Sequence, residues 1–103
     1  MSTETESTET TTSYRLPSDG SLRSAAKISC SEDKPIMLDY WTLSLDGKII
    51  IGVKENGDKM LVKSVEEYTS MIQKIYKVEN EYLVCTENSL YIVDTACPTK
   101  RIS

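Results

Sequence analysis

Lys48-Ile49-Ile50-Ile51-Gly52-Val53-Lys54-Glu55-Asn56-Gly57-Asp58-Lys59-Met60-Leu61-Val62-Lys63 is the stretch whose reading decides the fold. Its first third is β-branched and apolar on both faces of an extended chain, the pattern of a strand covered on two sides. Gly52 inside that run signals a bulge, or a bend that lets a sheet coil. Asn56-Gly57 between two apolar runs is a strong short-range hairpin signal, and Lys59 to Lys63 is the returning strand.

Outward from this hairpin, the rest of the C-terminal two thirds follows the same pattern. On the N-terminal side, Ile36 to Leu45 contains Met37, Leu38, Tyr40, Trp41, Leu43 and Leu45 and reads as a strand, with Asp46-Gly47 as another hairpin turn. On the C-terminal side, Ser64-Val65-Glu66-Glu67-Tyr68 breaks the alternation and reads as a capped helical turn or a wide loop. Ile72 to Val78, Tyr82 to Thr86 and Leu90 to Asp94 are then three more strands, reversed at Glu79-Asn80-Glu81 and Glu87-Asn88-Ser89. Pro98 ends regular structure and leaves a short basic end. The expectation is a mainly all-β domain over residues 34–103, a small antiparallel meander of five to six strands forming a rolled sheet or a small barrel.

Residues 1–33 are of a different kind. MSTETESTETTTS has nothing to bury, and such a composition does not offset the entropy of ordering a chain. This Ser/Thr/Glu-rich segment is expected to be disordered in isolation and to serve as an extended arm. Within it, residues 21–28 form a short docked helix or remain extended; in the first case Ser21 is the N-cap and Leu22, Ala25, Ala26 and Ile28 the apolar stripe.

The chain has 103 residues, 12 basic and 16 acidic, for a net charge of -4. Residues 1–33 hold six acids against three bases and the remainder ten against nine, so the acidity is concentrated in the arm. A long-range attraction for nucleic acid or an anionic membrane is therefore disfavoured. No stretch approaches the ~20 apolar residues of a membrane span. Seventy residues of β domain sit in the size range where a partner or an oligomer adds needed stability.

The chemistry available is narrow. The chain has no histidine, which removes His-based triads and the commonest general base. Cys30, Cys85 and Cys97 have no CxxC spacing, so no zinc set is expected; they read as reduced thiols, with a Cys30–Cys97 pairing left open. The carboxylates at Glu66-Glu67, Glu79 with Glu81, Asp46 and Asp58 lie where turn chemistry or solvation accounts for them. The four glycines are scattered, with no phosphate-binding loop. No catalytic residue, cofactor or metal is expected, and the protein is expected to be non-enzymatic.

Two binding readings remain. Tyrosine and tryptophan favour core boundaries and interfaces; Tyr14, Leu16, Leu22, Tyr40 and Trp41 are the candidate partner contacts. The alternative is a small nucleic-acid-binding barrel using Lys48, Lys54, Lys59, Lys63, Lys74 and Lys77 with Tyr76 and Tyr82 as a stacking platform. Acidic residues are interleaved with those lysines, and lysine at a strand edge is also a guard against edge-to-edge aggregation.

Lys34-Pro35-Ile36-Met37-Leu38-Asp39-Tyr40-Trp41, taken with Ile50 to Gly57 and Glu87 to Val93, resembles small proteins of large double-stranded DNA viruses of algae and protists, over about residues 21–103. That resemblance implies a virion-associated or assembly component, a minor capsid protein that bridges neighbouring subunits. It also implies residence in the virion, and in the host cytoplasm or nucleus during assembly. It transfers no functional residue.

Overall fold

The structure, a computed structural model, describes residues 15–102. Ten elements follow in order: α1 (Asp19–Glu32), β1 (Ile36–Met37), α2 (Trp41–Leu45), β2 (Ile50–Val53), β3 (Lys59–Ser64), β4 (Glu67–Tyr68), β5 (Ile72–Val78), β6 (Glu81–Thr86), β7 (Leu90–Asp94) and β8 (Thr99–Arg101). The protein is mainly β. Its strands form two four-stranded sheets, ordered β1-β7-β6-β5 and β4-β3-β2-β8. Neither sheet closes into a barrel. The meander is also not wholly antiparallel, because β1 runs parallel to β7 and β8 parallel to β2.

The sheets pack face to face, and α1 covers the opposite face of the first sheet. Alternation along the strands produces this layering. Val84 and Val93 point to one side and join Ile49, Ile51, Leu61, Tyr40 and Cys97 between the sheets. Leu83, Cys85, Leu90 and Ile92 point to the other side and meet Ala25 of α1 and Trp41 of α2. A strand covered on both faces needs a continuous apolar run, and Leu83-Val84-Cys85 is one, buried throughout.

The helix over 21–28 is present and longer than the sequence suggested. Its N-cap is Ser18, whose Oγ accepts from the Ser21 backbone N–H at 3.2 Å, and Asp19 complements the dipole in the first turn. Asp33 ends it in the left-handed conformation (φ 56°), with a backbone bond back to Ser29. The buried face is Ser21 and Ala25, with Ile28 partly buried, while Leu22 is 39% exposed. Residues 19–32 are thus part of the packed fold, and residues 1–14, the remainder of the expected arm, lie outside the described residues.

The largest difference from expectation lies at Ile36 to Leu45. Only Ile36–Met37 is strand; Trp41–Leu45 is a short helix. Apolar residues at 40, 41, 43 and 45 satisfy either period over so short a span, and burial decides between them. With this helix, Tyr40 at its N-cap and Leu43 reach the inter-sheet cluster while Trp41 and Leu45 reach the cluster under α1. Asp46-Gly47 is consequently a helix stop. Gly47 (φ 70°) donates to Ser44 O at 3.1 Å and Lys48 to Leu43 O at 2.9 Å, the paired bonds of a Schellman motif. Nothing lies within 4 Å of a Cβ built at Gly47, so Gly47→Ala is expected to cost only the conformational penalty, about 1 kcal/mol, read as a shift in urea midpoint.

Three other expectations change. The β2–β3 hairpin forms with Gly57 at φ 95°, but its register is unbroken through Gly52, so that glycine is no bulge. A Cβ there would stand 2.7 Å from Ile102 Cδ1; the glycine makes room for the Ile102 side chain of the segment paired alongside. Ser64 to Tyr68 is a tight turn into the two-residue strand β4. The basic end after Pro98 is β8, tied to β2 by the Ile51 N–H to Pro98 O bond at 2.8 Å.

Candidate functional site

The polar centre of the described structure is a clasp that fastens the entering chain to the first sheet. Glu81 opens β6 and is fully buried. Period-2 alternation puts it on the same face as Leu83 and Cys85, beneath the N-terminus of α1. Its Oε1 accepts from Ser21 Oγ at 2.5 Å and Ser18 Oγ at 2.7 Å, and its Oε2 from Arg15 at 2.6 Å. The other arm of the Arg15 guanidinium pairs with Asp94 at the end of β7. Arg15 also lies over the Trp41 ring, 5.0 Å from its centroid, and Trp41 Nε1 donates to the Arg15 carbonyl at 2.9 Å.

Burial pushes the Glu81 carboxyl up, but the hydrogen bonds from Ser21, Ser18 and Arg15 outweigh it and hold the group below the ordinary carboxylate range. Both oxygens are occupied and the carboxylate is fully buried, so the arrangement fixes the entering chain segment to the sheet. Cys97 is equally closed in. Its thiol donates to Ile49 O at 3.1 Å, and burial, with a smaller contribution from Asp94, raises its pKa to about 11. Cys30, Cys85 and Cys97 are all free thiols. Among the described residues no group of three or more Cys, Asp or Glu is arranged to hold a metal ion.

Outward-facing features are of two kinds. One is the outer edge of β5, the last strand of its sheet. A groove of about 440 Å³ lies between Ile72–Ile75 of that strand and Gly57–Lys59 of the β2–β3 turn. The other is the outer face of the second sheet, where Met60, Val62, Val65, Tyr68 and Ile102 line an apolar depression of about 260 Å³. Val65 is 91% and Tyr68 57% exposed there.

The expected partner contacts separate. Leu16 is 79% exposed, and Leu22 faces solvent on α1. Tyr40 and Trp41 are buried at 8% and 4%, which corrects their reading as partner contacts: they join the two core clusters. Tyr14 lies outside the described residues.

The six lysines do not share a surface. Lys59 and Lys74 line the β5 groove. Lys54 lies beside the apolar depression, Lys63 pairs with Glu67 at 3.2 Å, Lys48 follows α2, and Lys77 stands opposite Tyr82 in the β5–β6 ladder. Tyr76 and Tyr82 cannot form one platform. Their ladder partners, Leu83 and Lys77, are of opposite parity, which puts the two rings on opposite faces of the sheet.

The clasp is faintly signalled in the sequence. Beside Glu79, Glu81 reads as a turn carboxylate, yet the alternation Glu81-Leu83-Cys85 marks it as inward-facing, and a buried carboxylate demands partners. No helix of the described structure is long and apolar enough to cross a membrane. No protein-family model matches the chain, and no curated protein or solved structure matches it significantly.

Proposed function

We propose that this protein is a non-enzymatic structural or interaction component that works through its outer surfaces and its N-terminal segment. In the specific form suggested by the viral resemblance, it is a minor capsid or virion assembly protein that bridges neighbouring subunits. The observation that carries the reading is a contrast. The one buried polar cluster described above is closed and spent on holding Arg15 to Ser21, whereas an unpaired strand edge and an apolar sheet face are turned outward. Strand edges and exposed apolar patches are the usual means by which one chain engages another. Lys59, Lys74 and Lys77 lie about the β5 edge, but Lys63 is paired with Glu67 and Lys48 follows α2, so the six lysines of the nucleic-acid alternative are not gathered on one surface.

Quantitative mass spectrometry of purified particles from cells infected with a virus encoding this chain tests the specific form. The expected result is that the chain copurifies at a fixed ratio to the major shell protein after a high-salt wash. Its presence in infected cells but absence from washed particles would refute the virion role.

A further inference from the structure

We propose that the outer edge of β5 receives residues 1–14 of a second copy of this chain as an added strand. The inference rests on the assembly reading above and names the partner and the surface.

β5 is seven residues long, and within its sheet only β6 pairs with it. An edge of this length is a template for another strand unless something guards it. The guards here are Lys74 and Lys77, both exposed and in no ion pair with a described residue. They repel the β5 of another copy. They do not repel an acidic strand.

Residues 1–14 have the complementary chemistry. They contain Glu4, Glu6 and Glu9, no base, and six β-branched threonines, with neither Gly nor Pro to interrupt a ladder. Glu6 and Glu9 stand at the same three-residue separation as Lys74 and Lys77. Residues three apart in a strand point to opposite faces, and residues directly opposite in a ladder share a face, so one register sets a carboxylate beside each lysine. Lys59 adds a third positive charge across the groove, against the single carboxylate of the lining, Asp58, so the groove is net positive.

The direction of the described chain favours delivery to a second copy. Arg15 is held over Asp94 of β7 and against Trp41; Ser18 and Ser21 reach Glu81 of β6, and Ser21 Oγ lies 3.2 Å from the carbonyl of Val78 in β5. From residue 15 to residue 21 the chain therefore crosses the sheet toward β5. Traced backwards from Ser21 to Arg15 it runs away from the β5 edge of its own domain. Fourteen extended residues span about 45 Å, enough to reach the same edge on a neighbour.

Sedimentation equilibrium of full-length chains tests this at low and high salt. The wild type is expected to gain mass above one chain with rising concentration, and to lose that gain in high salt. The Lys74→Glu/Lys77→Glu and Glu6→Lys/Glu9→Lys variants should each associate at least about tenfold more weakly. An equimolar mixture of the two should regain association, since each variant then offers the arm the other's edge requires. Hydrogen exchange on the wild type gives a reading that does not depend on the variants folding. The outer amides of β5 should become protected as concentration rises. A wild type of one-chain mass at every concentration overturns the proposal, as does association insensitive to the lysine reversals, or a mixture that fails to recover. Protection of β5 at one-chain mass, independent of concentration, would assign the edge to the chain's own arm and overturn the second copy. None of these outcomes bears on whether the chain copurifies with particles, so the two readings fail separately.

Discussion

Glu81→Ala is expected to lower the free energy of unfolding by about 3 kcal/mol, measured by urea titration at neutral pH. The substitution leaves the Ser18 hydroxyl without its acceptor beneath α1, leaves the Ser21 hydroxyl with only the Val78 carbonyl, and returns Arg15 to Asp94 alone. Glu81→Gln should cost less, because an amide oxygen still accepts from the serines, but it turns an amide N–H₂ or a neutral oxygen toward the guanidinium. The pH dependence has a definite sign. The folded carboxyl lies below its ordinary range, so its stabilisation is fully present above the unfolded pKa and is lost as pH falls through the folded value. The wild type should therefore weaken below about pH 4, and Glu81→Ala should show a flatter acid limb. An acid limb of unchanged slope in that variant would show that Glu81 is not the group responsible.

Leu83→Ala is expected to cost a similar amount, about 3 kcal/mol, through cavity formation. Leu83 is fully buried on the helix-facing side of β6, in the cluster that joins α1, α2 and three strands. A domain of this size has a total stability of about 5–10 kcal/mol, so this single change removes a large share of it and should bring the thermal midpoint down by more than 10 °C. The change should be visible in near-ultraviolet circular dichroism through Trp41, which belongs to the same cluster. Val65→Ala, by contrast, removes an exposed side chain and should be nearly silent.

Most of the strands were legible because they carry β-branched runs bounded by turn residues. Ile72–Val78, Glu81–Thr86 and Leu90–Asp94 match the expected spans to within a residue. What escaped were features set by long-range packing. Trp41–Leu45 looks extended until two separate cores compete for its side chains, and Asp46-Gly47 then serves a helix end with the same positive φ that a hairpin would use. The parallel partners β1 and β8 are two and three residues long and too short to show any period. Their pairing is fixed by β7 and β2, far away in sequence. The clasp was half legible: Arg15, Ser18 and Ser21 resemble surface residues, and only the parity of Glu81 with Leu83 signals that their counterpart lies inward.

The parallel pairing of Thr99–Arg101 with Ile51–Val53 has a consequence for vectorial synthesis. A ribosome releases β2 long before it releases its partner, and β1 likewise waits for β7. Each sheet is completed only once its late strand has emerged, and loops of such span slow the closing step. During that interval the Ile51–Val53 stretch lacks the neighbour on one of its two sides, so breaking the Thr99–Arg101 strand is expected to loosen a sheet whose other members lie far earlier in the chain.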